Sequence, residues 1–205
     1  MKLKKISSIC TKSKTYVLFD KPDAEGNITQ WLGDSSAAYQ LSGLPVLDED
    51  SLCKLFDIPE KRRGNFHIRR TDMEMDVSDT SPSDRLIEGM GLSLTYKSLE
   101  LLPLKTQTGI LFIQQGYLAP LEDEAELIEL YERRSAKDNP YIVAKAGLFI
   151  RAIIMPVEIL QDDFMDRLED VFRECRAVMV KKAQDKAAEE GHNQLSWTEE
   201  QEDDK

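Results

Sequence analysis

At 205 residues, 41% hydrophobic and 32% charged, the chain can form one sizeable domain or two small ones, and its composition is that of a soluble globular protein. The formal net charge of −11 argues against broad binding to DNA, RNA or anionic membranes, because neutralising phosphates takes an excess of Lys and Arg on at least one face. No apolar run approaches the ~18 residues of a membrane-spanning helix, so no membrane association is expected.

The opening, MKLKKISSICTKSK, offers lysines but no apolar stretch long enough for a secretion signal. Within it, Ile6–Cys10 reads as a short strand, paired through a polar turn with a second strand at Tyr16–Phe19. Lys21–Asn27 is a turn-rich loop. Ile28–Gly33 alternates as a strand does, and AAYQLSG, from Ala37, reads as another. From Asp48 the period changes to that of a helix: Asp48 is the expected N-cap, Glu49 and Asp50 occupy the first turn, and Leu52, Leu55 and Phe56 share one face. Pro59 closes that helix, and NFHIR, from Asn65, is a strand candidate. Met73–Ser83 is acidic and aperiodic, hence a loop. Ser81 as cap, Pro82 at the first helical position and Gly89 as stop predict a short helix.

Leu92–Ile113 reads as a meander turning at Lys97-Ser98 and again at Thr106–Gly109. A second acidic helix is predicted from Glu122 to Arg134. For Tyr141–Met155 two patterns fit, a pair of buried strands turning at Ala146-Gly147 and a helical stripe through Ile142, Ala146, Phe149 and Ile153; the density of β-branched residues favours strands. The longest helix is expected over Glu158–Glu190, with Leu160, Phe164, Leu168, Val171, Cys175 and Val178 on one stripe, close to a coiled-coil seam. Gly191 is its expected stop, and residues 191–205 are read as a disordered acidic tail contributing about −4 of the charge.

The run PVLDEDSLCKLFD, from Pro45, is echoed 75 positions later (120 − 45) by PLEDEAELIELYE, from Pro120. Acids in the first turn of a helix meet its exposed N–H groups and the positive end of its dipole, which accounts for both runs as helix starts. The competing reading, a divalent-metal site built from Asp48, Asp50, Glu122 and Asp123, lacks a neighbouring base. The echo suggests duplication of a strand–strand–helix unit.

Candidate chemistry is sparse. The cysteines, Cys10, Cys53 and Cys175, form no CxxC pair, which fits a reducing compartment and a cytoplasmic location. His67 could meet Cys53 or Cys175 only through folding. Glycine-rich phosphate loops and GxSxG elbows are absent, and no cofactor or metal is predicted. The one basic concentration, Lys61, Arg62, Arg63, Arg69 and Arg70, is the candidate interaction patch, the only place where local contact with nucleic acid is expected. Its competing role is to face a helix C-terminus or pair with the acidic loop downstream.

The segments WLGDSSAAY, GLPVLDEDSLCKLFDIPEK, YLAPLEDEAELIELYERR and AKAGLFIRAIIMP together resemble small proteins carried by prophages and mobile elements of gut bacteria, a family that implies no particular activity. The phrase AIIMP, ending at Pro156, is also similar to the last strand of bacterial sliding clamps, but the opening, read as strands, lacks a clamp's first helix, and that resemblance is set aside. The expected fold is α+β: an antiparallel sheet of short strands with three main helices, in a single domain over 1–190, with sub-halves 1–70 and 90–190 joined by the loop 71–82 as the open alternative. The expected function is that of a non-enzymatic protein-interaction or regulatory protein of a phage or mobile element, acting on a protein partner or on itself through the C-terminal helix. The alternatives are an acidic nucleic-acid mimic that inhibits a DNA-binding enzyme, and an enzyme with a composite Cys–His or carboxylate site.

Overall fold

Leu3–Ser13 is a helix, α1, where a strand over Ile6–Cys10 was expected. Ile6 and Cys10, four apart, are both buried on one side of it, whereas a strand would set Ser8 on that same face and Ser8 is exposed. Lys14, with φ 55°, ends the helix in the left-handed conformation and turns the chain into the first strand. The computed structural model describes residues 2–107 and 109–199, with side chains described through residue 188. The chain divides into two units, Met1–Glu158 and Ile159–Lys205, so the boundary falls well beyond the loop 71–82.

The first unit is built on an eleven-stranded sheet. After α1 come β1 (Thr15–Pro22), β2 (Ile28–Gly33) and β3 (Ala37–Gln40), then two short helices, α2 (Glu49–Leu55) and α3 (Glu60–Arg63). Strands β4 (His67–Asp72), β5 (Arg85–Gly89), β6 (Leu94–Tyr96), β7 (Leu99–Thr106) and β8 (Gly109–Gln114) follow. A 3-10 segment over Gln115–Leu127 leads into β9 (Ile128–Arg134), β10 (Pro140–Ala146) and β11 (Phe149–Ile154). The class is α+β. All strand pairs are antiparallel except β1 with β4, which run parallel.

A two-fold pattern runs through this unit. A helical element followed by a three-stranded meander occurs twice: α1 before β1–β2–β3, and the 3-10 segment before β9–β10–β11. The last strands of the two meanders, β3 and β11, pair antiparallel, with Ala38 opposite Ile153. The two helical elements meet as well, since Lys2 donates its backbone N–H to the carbonyl of Pro120 at 2.9 Å. The acidic echo is not the repeated part. Asp48 caps α2, after β3, whereas Asp123 and Glu124 lie in the 3-10 segment, before β9.

Two expected helices are absent. Ser81–Gly89 contains β5, because Leu86 and Ile87 pair with Tyr131 and Leu130 of β9 and Ile87 enters the core. The expected helix from Glu122 to Arg134 is instead 3-10 backbone running into β9, whose residues pair along the full length of β10. The buried-strand pattern at 141–155 is confirmed as β10 and β11, and the reason for its unbroken apolarity is plain: the sheet is covered on both faces. Ile142, Ala144, Ala152 and Ile154 join one cluster with Ile6, Cys10, Leu52 and Tyr117, while Tyr141, Val143 and Ile153 join a second with Trp31, Ala38 and Met73.

The second unit carries α4, Asp162–Glu199. Its backbone passes through Gly191, which therefore does not end the helix; residues 200–205, the close of the expected tail, lie outside the described residues. Among the described residues no helix is long and apolar enough to cross a membrane.

Candidate functional site

The helical elements cover one face of the sheet. The other face, which carries Trp31 and Val143, is crossed by the acidic stretch 73–84. This stretch is anchored at both ends by different physics. At its start Met73, Met75 and Val77 pack with Trp31, Phe19, Ile153 and Met155, and Met73 donates its N–H to the carbonyl of Asp20 at 2.8 Å. Toward its end the acids neutralise two buried cations from the strands beneath. Arg133, fully buried, bonds to the Asp84 carboxylate and donates to the carbonyls of Asp76 and Ser78, each at 2.9 Å. Lys145 reaches the same Asp84 carboxylate and the Asp79 carbonyl at 2.7 Å, with its ammonium 4.8 Å from the centre of the Tyr131 ring. Burial alone would raise the Asp84 pKa, but the bonds from Arg133 and Lys145 outweigh it and hold the carboxyl below its usual range. Asp76 is lowered too, by bonds from Ser78 and the charge of Arg133 acting against burial. Asp84 and Asp76 of the loop thus face Arg133 and Lys145, and of the 61–70 basic cluster Arg63 and Arg70 pair with acids outside the loop.

That cluster does not form one patch. Arg63 pairs with Asp50 of α2 at 2.6 Å, and Arg70 pairs with Asp20 of β1 at 2.6 Å. Arg69 and Arg70, adjacent on β4, point to opposite faces of the sheet. Lys61 and Arg62 lie exposed in the single turn of α3. Only Arg69 reaches a cavity on the outer face, and it makes no ion pair among the described residues.

This cavity, of about 230 Å³, is a largely apolar recess in the first unit. Its walls are Phe19, Ala38, Ile153 and three methionines, Met73, Met75 and Met155. Four chain segments supply them: β1, β3, the 73–84 stretch and the end of β11. One rim is Arg69 and the other is the tight turn Asp34-Ser35-Ser36 between β2 and β3. Asp34 builds that turn by accepting the N–H groups of Ser36 at 2.8 Å and Ala37 at 2.9 Å, with the Tyr117 hydroxyl behind it at 3.4 Å. Gly33 is required beside it, for a Cβ there would stand 1.7 Å from the Ala37 carbonyl oxygen. Under the cavity's neighbourhood lies Trp31, 1% exposed, whose indole N–H has no hydrogen-bond partner. An orphan buried donor of this kind costs about 1–3 kcal/mol.

The recess is smaller than the roughly 300–1,000 Å³ typical of small-molecule sites, and it holds a side chain or two better than a cofactor. Methionine is flexible and polarizable, so a methionine-lined wall adapts to different apolar side chains. No sequence motif could have announced it, because its residues converge only through β3–β11 pairing. The one local signal was the methionine-bearing loop TDMEMDV beside an otherwise polar strand.

The other sequence candidates are placed as follows. Cys10 is fully buried, and desolvation with the charge of Asp34 pushes its thiol pKa up to about 12. Cys53 is buried and its pKa is also raised, by burial first and by Asp50 and Glu49 against the opposing effect of Arg63. A cysteine nucleophile needs the opposite shift. His67 is exposed on β4, and its side chain makes no hydrogen bond among the described residues. Cys175 is exposed on α4. Glu122 and Asp123 pair with Lys2, and Glu124 pairs with Arg151 at 2.8 Å, while Asp48 caps α2 by accepting the Ser51 N–H at 2.7 Å. Among the described residues no group of three or more His, Cys, Asp or Glu side chains is placed to hold a metal ion. No family model, curated protein or solved structure matches the chain.

Proposed function

We propose that this chain is a non-enzymatic protein-interaction protein serving a phage or mobile element, and that it grips an apolar side chain of a partner segment in the methionine-lined recess. The observation that supports the reading is the combination at one spot of an adaptable apolar wall, Met73, Met75 and Met155, with an unpaired guanidinium, Arg69, at its rim. Such a site selects a peptide with an apolar anchor flanked by a carboxylate, from an acidic side chain or a chain terminus. The setting is supported only by the sequence resemblance described above. Six of the 38 acids, Asp20, Asp50, Asp84, Glu122, Asp123 and Glu124, are each paired with a Lys or Arg of the same chain and so add no free charge to a nucleic-acid-like surface.

Selection of random peptides on the immobilised protein tests the proposal. Enriched peptides should carry an apolar residue next to an acid. Met155→Glu, which places a charge in the recess, should weaken their binding by at least about tenfold, and Arg69→Ala should weaken it less. Peptides that bind Met155→Glu as well as the parent protein, or no enrichment at all, would overturn it.

A further inference from the structure

The second unit presents a separate surface. Along α4 the side chains of Met165, Leu168, Val171, Phe172, Val178 and Met179 are all exposed, Phe172 at 65% and Met179 at 71%. Aromatic and long aliphatic groups at this exposure, spaced by threes and fours over about 20 Å of helix at 1.5 Å per residue, form the stripe of a helix made to pack on another helix. The charges flanking the stripe are sorted along its length. Asp162, Asp163, Asp166, Glu169 and Asp170 crowd the first part, with Arg167 as the exception. Arg173, Arg176, Lys181, Lys182 and Lys186 crowd the second, with Glu174 and Asp185 as the exceptions.

From this sorting we infer that two copies of the chain pair through α4 in antiparallel orientation. The surface is distinct from the peptide recess, and the inference stands whether or not that reading holds. A parallel pair would lay acidic segment on acidic segment and basic on basic. An antiparallel pair sets each acidic segment against the basic segment of the second copy. The stripe also fixes a register. With Phe172 of one copy packed at the level of Cys175 of the other, Leu168 meets Met179, and Glu169 lies beside Arg176 of the second copy, twice by symmetry. Neither Glu169 nor Arg176 makes an ion pair among the described residues.

Analytical ultracentrifugation of the full chain tests both parts. The parent protein is expected to be a dimer, and Phe172→Asp with Met179→Asp, two exposed positions whose change leaves folding intact by circular dichroism, should render it monomeric. Glu169→Arg alone and Arg176→Glu alone should each raise the dimer dissociation constant by about tenfold, because each creates two like-charge contacts. The combined swap should restore dissociation to within about threefold of the parent value. A monomeric parent, or a dimer that survives Phe172→Asp with Met179→Asp, would overturn the pairing; a dimer in which the combined swap fails to restore what the single swaps lose would overturn its antiparallel register.

Discussion

Gly33 shows how much one residue can decide. Its backbone runs so close to Ala37 that a methyl group would overlap the carbonyl oxygen, and the contact is with main chain, which cannot rotate away. Gly33→Ala is therefore expected to destabilise the protein by about 3 kcal/mol or more, read as a shift of the urea midpoint with little change in slope. Asp84 is the second such residue. Its carboxylate faces two cations that the sheet buries, and removing it leaves both without adequate compensation. Asp84→Asn should cost about 3–5 kcal/mol at neutral pH. Because the folded-state pKa of Asp84 lies below that of the unfolded chain, its contribution is fully present above the ordinary carboxylate range, about pH 4, and is lost as pH falls through the depressed folded value. The parent should thus lose stability below about pH 4 more steeply than Asp84→Asn does, in urea titrations compared across pH.

Among the elements, those with strong local signals were readable in the sequence. Asp48 is the cap that its position before Leu52 and Leu55 implied, and Asp48→Ala should lower the midpoint of thermal or urea unfolding. Strand β2 keeps the bounds its alternation gave, and the turn at Lys97-Ser98 takes φ of 47° and 67°, as a tight hairpin demands. The misread elements have two causes. In α1, Ile6 and Cys10 lie among serines and lysines, so the apolar spacing was too sparse to outweigh the β-branched residues. In Ser81–Gly89 and in Ile128–Arg134 local helix signals were present, but pairing of β5 with β9 and of β9 with β10 buries more apolar surface than an isolated turn of helix could. The recess was illegible for a different reason: Phe19, Ala38, Met73 and Met155 carry no shared motif, and only the folded sheet brings them together.

For the whole molecule, the feature with the widest reach is the seam between β3 and β11. Ala38 and Ile153, facing partners there, stand 115 positions apart (153 − 38). Each meander is local and can form as soon as its own residues exist, but the seam joins the first to the last, and closing so long a loop is entropically slow. During synthesis the early meander must wait on the ribosome with the flank of β3 unsatisfied until β11 emerges. Its N–H and C=O groups are then an open template for any other strand within reach, and the interval before closure is when this chain is most exposed to pairing with the wrong molecule.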